Sequence, residues 1–324
     1  MKKLLLMIFM TACLFGAGCK GRVYTYVDLL PPDWQWAAAT YINQSGTVVG
    51  YGTDATDTLK GFIYSSGQYT ELLPPGWVSA RAYAINDSGA VVGEGSDATD
   101  TDKGFIYSDG QYTELLPPEW NSLTAYFISN SGAVVGWGND STDTEKGFIY
   151  QDGQYTELLF PGWRDTAALG INNSGVVVGM GYTGATNAGF TYSNGQYTEL
   201  LPPGWFAAEA NAINTSGVIV GDGYDGTDTD KGFIYQDGKY TELLPRGWAY
   251  AYAYAINSKG EVAGLGGDTT YIEKGFIYSN GTYSELLPPE WAYADAYSIN
   301  DNGAAVGVGE DATGIMKGFI AEPE

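Results

Sequence analysis

Self-similarity constrains this chain more than any other feature. The dipeptide Gly-Phe recurs at Gly61, Gly104, Gly147, Gly189, Gly232, Gly275 and Gly318, at intervals of 43, 43, 42, 43, 43 and 43 residues. A period this regular means that one supersecondary block is repeated and stacked on itself. Within one unit, Lys103 to Asp143, the runs GFIY, QYTELL, AYFIS and AVVG are separated by turn residues. Each run is strand-sized and rich in β formers. Two hairpins are legible between them. In Ile-Asn-x-x-Gly-x-Val (Asn43 to Gly46, Asn86 to Gly89 and so on) the Asn can bond its own backbone, and the Gly supplies positive φ. The third unit carries Ser129 in place of Asn. The second hairpin, Tyr-x-x-Gly as in Tyr107 to Gly110, closes with either a two-residue turn or a three-residue turn and bulge.

Four strands in about 43 residues is the period of a β-propeller blade. The ends sharpen this expectation. The chain enters a unit at the run Tyr24 to Pro32, which aligns with Gln111 to Pro118, and stops after Lys317-Gly318-Phe319-Ile320-Ala321. One N-terminal strand therefore completes a blade whose other three strands are C-terminal, and closing the ring removes exposed sheet edges. The expected fold is all-β: a seven-bladed β-propeller of four strands per blade, residues 24–324, closed by the N-terminal strand. By analogy with such closures, Ala-x-x-Ile-Asn is innermost, followed by Val-Val-Gly-x-Gly, Lys-Gly-Phe-Ile-Tyr and, outermost, Tyr-Thr-Glu-Leu-Leu. The invariant Ala five residues after each repeat Trp (Ala39, Ala82, Ala125 and so on) is expected to face the crowded axis. Both tight turns then share one face and the longer connections share the other.

Composition excludes several chemistries. There is no His, and the two Cys, Cys13 and Cys19, lie near the N-terminus, so the repeat region offers no imidazole base, thiol nucleophile or Cys/His zinc site. Residues 1–23 carry four bases and no acid; the remainder carries 11 bases against 38 acids, net −27. Such a body repels phosphate backbones and anionic lipid surfaces, so nucleic acid is not an expected partner and membrane contact is expected only through an anchor.

Residues 1–19, MKKLLLMIFMTACLFGAGC, combine a basic start, a short apolar run and small residues before a Cys. They resemble a bacterial lipoprotein signal. That resemblance implies a signal peptide over 1–18, lipidation at Cys19 and a short tether to residue 23, with Gly16 standing where a Leu-like residue is usual. An ordinary secretory signal is the alternative. Either implies export, to the outer membrane, cell surface or periplasm, or otherwise to the medium. The units, Ala-Ile-Asn-x-x-Gly-x-Val-Val-Gly followed by a Phe strand and a Leu-containing strand, resemble the extracellular HAF-repeat family over the whole chain after the signal. Lys-Gly-Phe or Ala188-Gly189-Phe190 replaces the family's His-Ala-Phe. The resemblance implies an exported repeat protein and brings no catalytic residues.

Candidate chemistry falls into four sets. The Trp of Pro-Pro-x-Trp, Trp34 to Trp291, recurs seven times; strict recurrence favours packing at blade crossings over sugar stacking. The Glu of Tyr-Thr-Glu-Leu-Leu is expected to pair with the Lys before Gly-Phe, as Glu114 with Lys103. Asp54/Asp57, Asp97/Asp100, Asp140/Asp143 and Asp225/Asp228 form acidic loops; they are either Asx turns or weak Ca²⁺ ligands. The fourth set comprises positions that vary while their surroundings repeat: two and four residues after each Trp, and between the paired Gly of the second strand. Ligand-binding candidates there are Trp36, Asp165, Arg81, Glu209, Tyr252, Asp295, Tyr51, Glu94, Trp137 and Asp222, expected at one mouth of the ring. The function expected is a non-enzymatic module binding a glycan or protein ligand through the long-loop face. The alternatives are a carboxylate-dependent glycoside hydrolase or lyase using Glu94, Asp222, Glu209 or Asp295, and an assembly module without a small ligand.

Overall fold

The computed structural model describes residues 21–227, 229–270 and 272–324. The signal-peptide expectation, Cys19 and Asp228 lie outside the described residues. Among those described there is no helix, and 28 strands form seven four-stranded antiparallel sheets. The fold is a seven-bladed β-propeller. Blade one runs outward from Trp34–Ile42 through Val48–Asp54 and Leu59–Ser65 to Gln68–Leu72. Blade seven runs from Tyr293–Ile299 through Ala305–Glu310 and Met316–Pro323 and takes its outer strand, Tyr24–Leu29, from the other end of the chain. That closure pairs Tyr24 with Pro323 through to Leu29 with Gly318. The innermost strands of successive blades pack on one another around the ring and back to the first.

The repeat residues build the core. Phe62, Phe105, Phe148, Phe190, Phe233, Phe276 and Phe319 are all fully buried, and each contributes about 1.5–3 kcal/mol of burial. In six of the seven blades the Phe ring lies over the first Gly of the second strand: a Cβ on Gly93 would strike both the Phe105 ring and the main-chain oxygen of Arg81. The repeat Trp lies edge-on to the same Phe, Trp34 on Phe62 at 6.0 Å, within a cluster that includes Leu29 of the neighbouring blade. The packing reading of the Trp series holds.

The Ala series does not face the axis. Ala82 packs against Gly61 of the preceding blade, Ala125 against Gly104, and Ala39 against Gly318 across the closure. All seven are fully buried. The small pair sets the spacing between blades, which is why both residues are invariant. The open hairpin register resolves as a two-residue loop. Ser65 pairs with Gln68, and Ser66 and Gly67 have φ of 50° and 81°. Positive φ at both positions is the type I′ turn that matches strand twist.

The acidic loops copy the Asn turns. Asn43 Oδ1 accepts from the main-chain nitrogens of Ser45 and Thr47 and from the Ser45 hydroxyl. Asp54 Oδ1 accepts in the same way from Thr56 N, Thr58 N and the Thr56 hydroxyl. The other oxygen, Asp54 Oδ2, takes Lys60 at 2.8 Å, and the same ammonium reaches Glu71 at 2.8 Å. Asp97, Asp140 and Asp225 repeat the clasp with Lys103, Lys146 and Lys231, which also meet Glu114, Glu157 and Glu242. The Lys60 hydrogen bond first, then the Thr56 hydroxyl, holds the Asp54 carboxyl well below the usual carboxylate range. Both oxygens of each first Asp are thus engaged by the turn and the lysine.

The second acid of each loop has a different place in the turn. Asp57, Asp100 and Asp143 have φ of 60°, 63° and 62°, standing where Gly46 stands at φ 82°. Their main-chain nitrogens close the turn on the carbonyls of Asp54, Asp97 and Asp140 at 3.0–3.1 Å. All three are exposed. Asp tolerates this left-handed conformation better than most residues, which accounts for its recurrence here. Asp97 and Asp100 are therefore the two ends of one Asx turn, not two ligands converging on an ion. Among the described residues no three acids gather where they could share a metal ion. Blade four lacks the acid and the lysine together, with Thr183 and Ala188 in their places, and Thr183 Oγ1 accepts from Thr186 N at 3.2 Å in the shortened turn.

Candidate functional site

The ring encloses a cavity of about 670 Å³ that opens on the long-loop face. Its floor is aromatic: Tyr41 of blade one and Phe127 of blade three meet edge-on at 5.5 Å. Below that floor a smaller recess of about 170 Å³ opens on the opposite face, ringed by the Asn turns.

A bulge in every innermost strand shapes the cavity wall. The register slips at Thr40, Tyr83, Tyr126, Leu169, Asn211, Tyr254 and Tyr297, six residues after each Trp. The extra residue re-aims side chains; all seven of these line the cavity, as do Tyr41 and Phe127 from the next position. This column was missed in the sequence because pure alternation gives it no special role. It carries four residue types over the seven blades, Tyr in four of them, against five to seven types in the columns that were chosen, so variability marks it less strongly. A second missed column precedes the Lys of Lys-Gly-Phe and supplies Glu145 to the wall.

Among the sequence candidates, Tyr51, Trp137 and Glu209 line the cavity. The others are placed around it. Arg81 Nη1 donates to Glu94 Oε1 at 3.2 Å and lies 5.7 Å over the Tyr51 ring. Glu94 also accepts from the hydroxyls of Tyr83 and Thr124, each at 2.5 Å. Trp36 stacks edge-on against Tyr51 at 5.8 Å. The Tyr252 hydroxyl donates to Asp230 at 2.8 Å. Asp222 is buried and accepts from Asn211 at 2.6 Å; Asp295 is buried and accepts from the Tyr297 hydroxyl at 3.2 Å, with Oδ1 unpartnered.

The column two residues after Trp lies beside the cavity, not in its wall. Asp165 Oδ1 accepts from Tyr182 N at 2.7 Å, and Ser79 accepts from Ser96 N at 3.1 Å. These side chains tie the innermost strand to the second strand at the loop end, and none of that column lines the cavity.

Aromatic rings run along one wall: Tyr51 to Tyr83 at 6.1 Å, Tyr83 to Tyr126 at 5.5 Å, Tyr126 to Trp137 at 5.2 Å. Tyr254 and Tyr297, 5.9 Å apart, extend the lining on blades six and seven. Acids are held here at raised pKa. Burial, then the Glu209 charge, pushes Asp222 up to about 8. Burial raises Glu209, and burial with the nearby Asp165 charge raises Glu145. Burial, then Glu273, raises Asp295. Of the four acids considered for hydrolysis, only Glu209 reaches the wall.

No known protein-family model and no curated protein sequence matches this chain. Solved structures do. The β-propeller domain of the Trilobed protease from Pyrococcus furiosus is 13% identical with a TM-score of 0.58, over 89% of this chain and 96% of that one. YCF48 bound to D1 peptide is 12% identical with a TM-score of 0.54, over 93% and 94%. A puromycin-hydrolyzing peptidase from Mycobacterium tuberculosis is 15% identical with a TM-score of 0.58, over 92% of this chain and 56% of that one. At such identity the likeness is one of fold. The chain is thus a member of the propeller class of repeat folds, with a ligand-sized cavity on its axis.

Proposed function

We propose that this protein is an exported, lipid-anchored, non-enzymatic binding module that takes a glycan or protein-borne ligand into its axial cavity. The observation that carries this reading is the contrast within the repeat. Core, turn and seam positions are the same in nearly all blades, whereas the cavity wall carries Thr, Tyr, Leu and Asn at one structural position. A ring needed only for support has no reason to differ there, and a concave, mostly apolar surface with a few polar groups is the usual form of a ligand site. Flat aromatic faces beside hydrogen-bond acceptors suit sugar rings.

The anchor reading fits the geometry of the N-terminus. Arg22 N donates to the Ser284 hydroxyl at 2.8 Å, and the Arg22 guanidinium meets Glu261 at 2.6 Å, both beside the tight turns of blade six. Gly21 therefore leaves the ring on the tight-turn face. A lipid at Cys19 would turn that face to the membrane and the cavity mouth away from it. The lipoprotein-like signal and the HAF-like repeats support export.

The test is a glycan-array screen of the protein, with Ca²⁺ and with chelator. Selective binding that is lost in Tyr126→Ala and Trp137→Ala is expected. Binding that survives both substitutions would remove the cavity from the reading.

A further inference from the structure

The cavity wall is unbalanced in charge. Glu145 and Glu209 line it, and among the described residues no Lys or Arg does. Glu209 has no hydrogen-bond donor among the described residues, although its neighbour Asp222 is satisfied by Asn211. A half-buried carboxylate without a donor or a counter-charge loses hydration and regains nothing from the protein. Tyr83, Tyr126 and Trp137 line the same cavity with neighbouring rings 5.5 and 5.2 Å apart, and the Glu209 charge acts on Tyr126. Tyr126 sits deep in the ring yet is 37% exposed, because the cavity reaches it.

We propose, resting on the binding reading above, that the cavity recognises an organic ammonium group, held between the Tyr83–Tyr126–Trp137 wall and the Glu209 carboxylate. Aromatic faces attract cations through the ring quadrupole, more strongly when water is excluded. A nearby carboxylate adds ion pairing, and a charge-assisted hydrogen bond where the ammonium still carries an N–H. The protein already makes this arrangement once for itself. Arg81 is held over the Tyr51 ring and against Glu94, one step around the same wall. The Glu209 side of the cavity presents the same two elements, ring and carboxylate, with the cation left for a ligand to bring. A neutral sugar would offer hydroxyl donors to Glu209 but no charge, and an anionic ligand is repelled by a body of net −27. The ligand class is therefore a small molecule bearing a protonated or quaternary amine.

The experiment compares two probes of nearly equal shape on the full chain in detergent: choline, and its uncharged carbon isostere 3,3-dimethylbutan-1-ol. Saturation transfer to the methyl protons reads binding. The expected result is choline binding at least about tenfold tighter than the alcohol, a margin of one cation–aromatic contact. Glu209→Gln and Tyr126→Leu should each reduce that preference toward parity. Equal binding of the two probes by the wild-type chain overturns the proposal without recourse to any variant. Neutral glycans that bind the cavity unaffected by Glu209→Gln would overturn it and leave the binding reading standing. Absence of any ligand, from both the array and the choline titration, would remove both.

Discussion

The side-chain amide of Asn86 donates to the main-chain carbonyl of Ser129, one blade on, at 3.2 Å, and Ser129 makes no corresponding bond to Asn172. Elsewhere the relay continues: Asn43 to Asn86, Asn172 to Asn214, Asn214 to Asn257, Asn257 to Asn300, and Asn300 back to Asn43, at 2.9–3.3 Å. Six of the seven blade junctions carry the link. The hydroxyl of Ser129 closes its own turn through Ala133 N but is too short to cross to the next blade. Ser129→Asn should complete the relay and stabilise the ring by about 1 kcal/mol, the net value of one buried hydrogen bond. For a domain of this size that is about 2 °C in Tm. A calorimetric scan showing no rise would mean that the third junction is held apart by something other than the missing amide.

The closure carries a second device in blade six. Glu261 is buried, and it occupies a position filled by Ala90, Ala133 and Ala304 in other blades. Its partner Arg22 is 46% exposed. Removing the arginine takes the counter-charge from a buried carboxylate and leaves it the Asn257 amide at 2.8 Å and the Ser279 hydroxyl at 3.4 Å, so Arg22→Ala should cost about 1–3 kcal/mol. That is below the about 3–5 of a fully buried pair, because Arg22 is half in water. Glu261→Ala restores the common residue and should cost less. Arg22→Ala added to Glu261→Ala should then cost almost nothing. Urea midpoints for the three variants test this; additive losses would show that the two residues act separately.

Asp222 gives a pH signature. Its folded pKa, about 8, lies far above the ordinary carboxylate value, so the native state binds its proton more tightly than the unfolded chain does. Between about pH 4 and pH 8 folding takes up that proton, and stability falls as pH rises. Asp222→Asn should remove this slope, so the stability difference between variant and wild type should widen from pH 5 to pH 8. Parallel curves would show that Asp222 is not held neutral. The Asp54-type carboxyls act in the opposite sense. Their pKa is depressed, so their contribution is present above about pH 4 and is lost on further acidification.

Two glycines of one blade should respond differently to alanine. A Cβ at Gly93 would collide with the Arg81 main-chain oxygen, which belongs to the paired strand and cannot move alone. Gly93→Ala should cost about 3 kcal/mol or more. Gly89 sits at φ 87° with open space around it, so Gly89→Ala should cost about 1–2 kcal/mol from backbone strain alone. Equal losses in a chemical denaturation series would contradict the close approach at Gly93.

Blade number, strand count, closure and turn positions were written in the period, because each unit repeats the same local code: Asn and Gly at the turns, Phe and Leu in the core. The Lys–Glu pairing was readable for the same reason. What recurs in sequence must satisfy the same contacts in every blade, so recurrence alone identifies it as architecture. The acidic loops were half legible: Asp97 and Asp100 recur as a pair because one turn needs both, and only the backbone shows that they face different tasks. The axial wall was also only partly legible. Tyr51, Trp137 and Glu209 were found by their variation, but Tyr83, Tyr126, Tyr254 and Tyr297 depended on a bulge that no residue type announces. The Ala series, expected at the axis, belongs to the seams, because the neighbouring blade's Gly is what it must fit. Side-chain direction at the centre of a ring follows from strand register and from the packing of one blade on the next. Those are relations between distant segments, and the tertiary structure decided them; the sequence determined the units being packed.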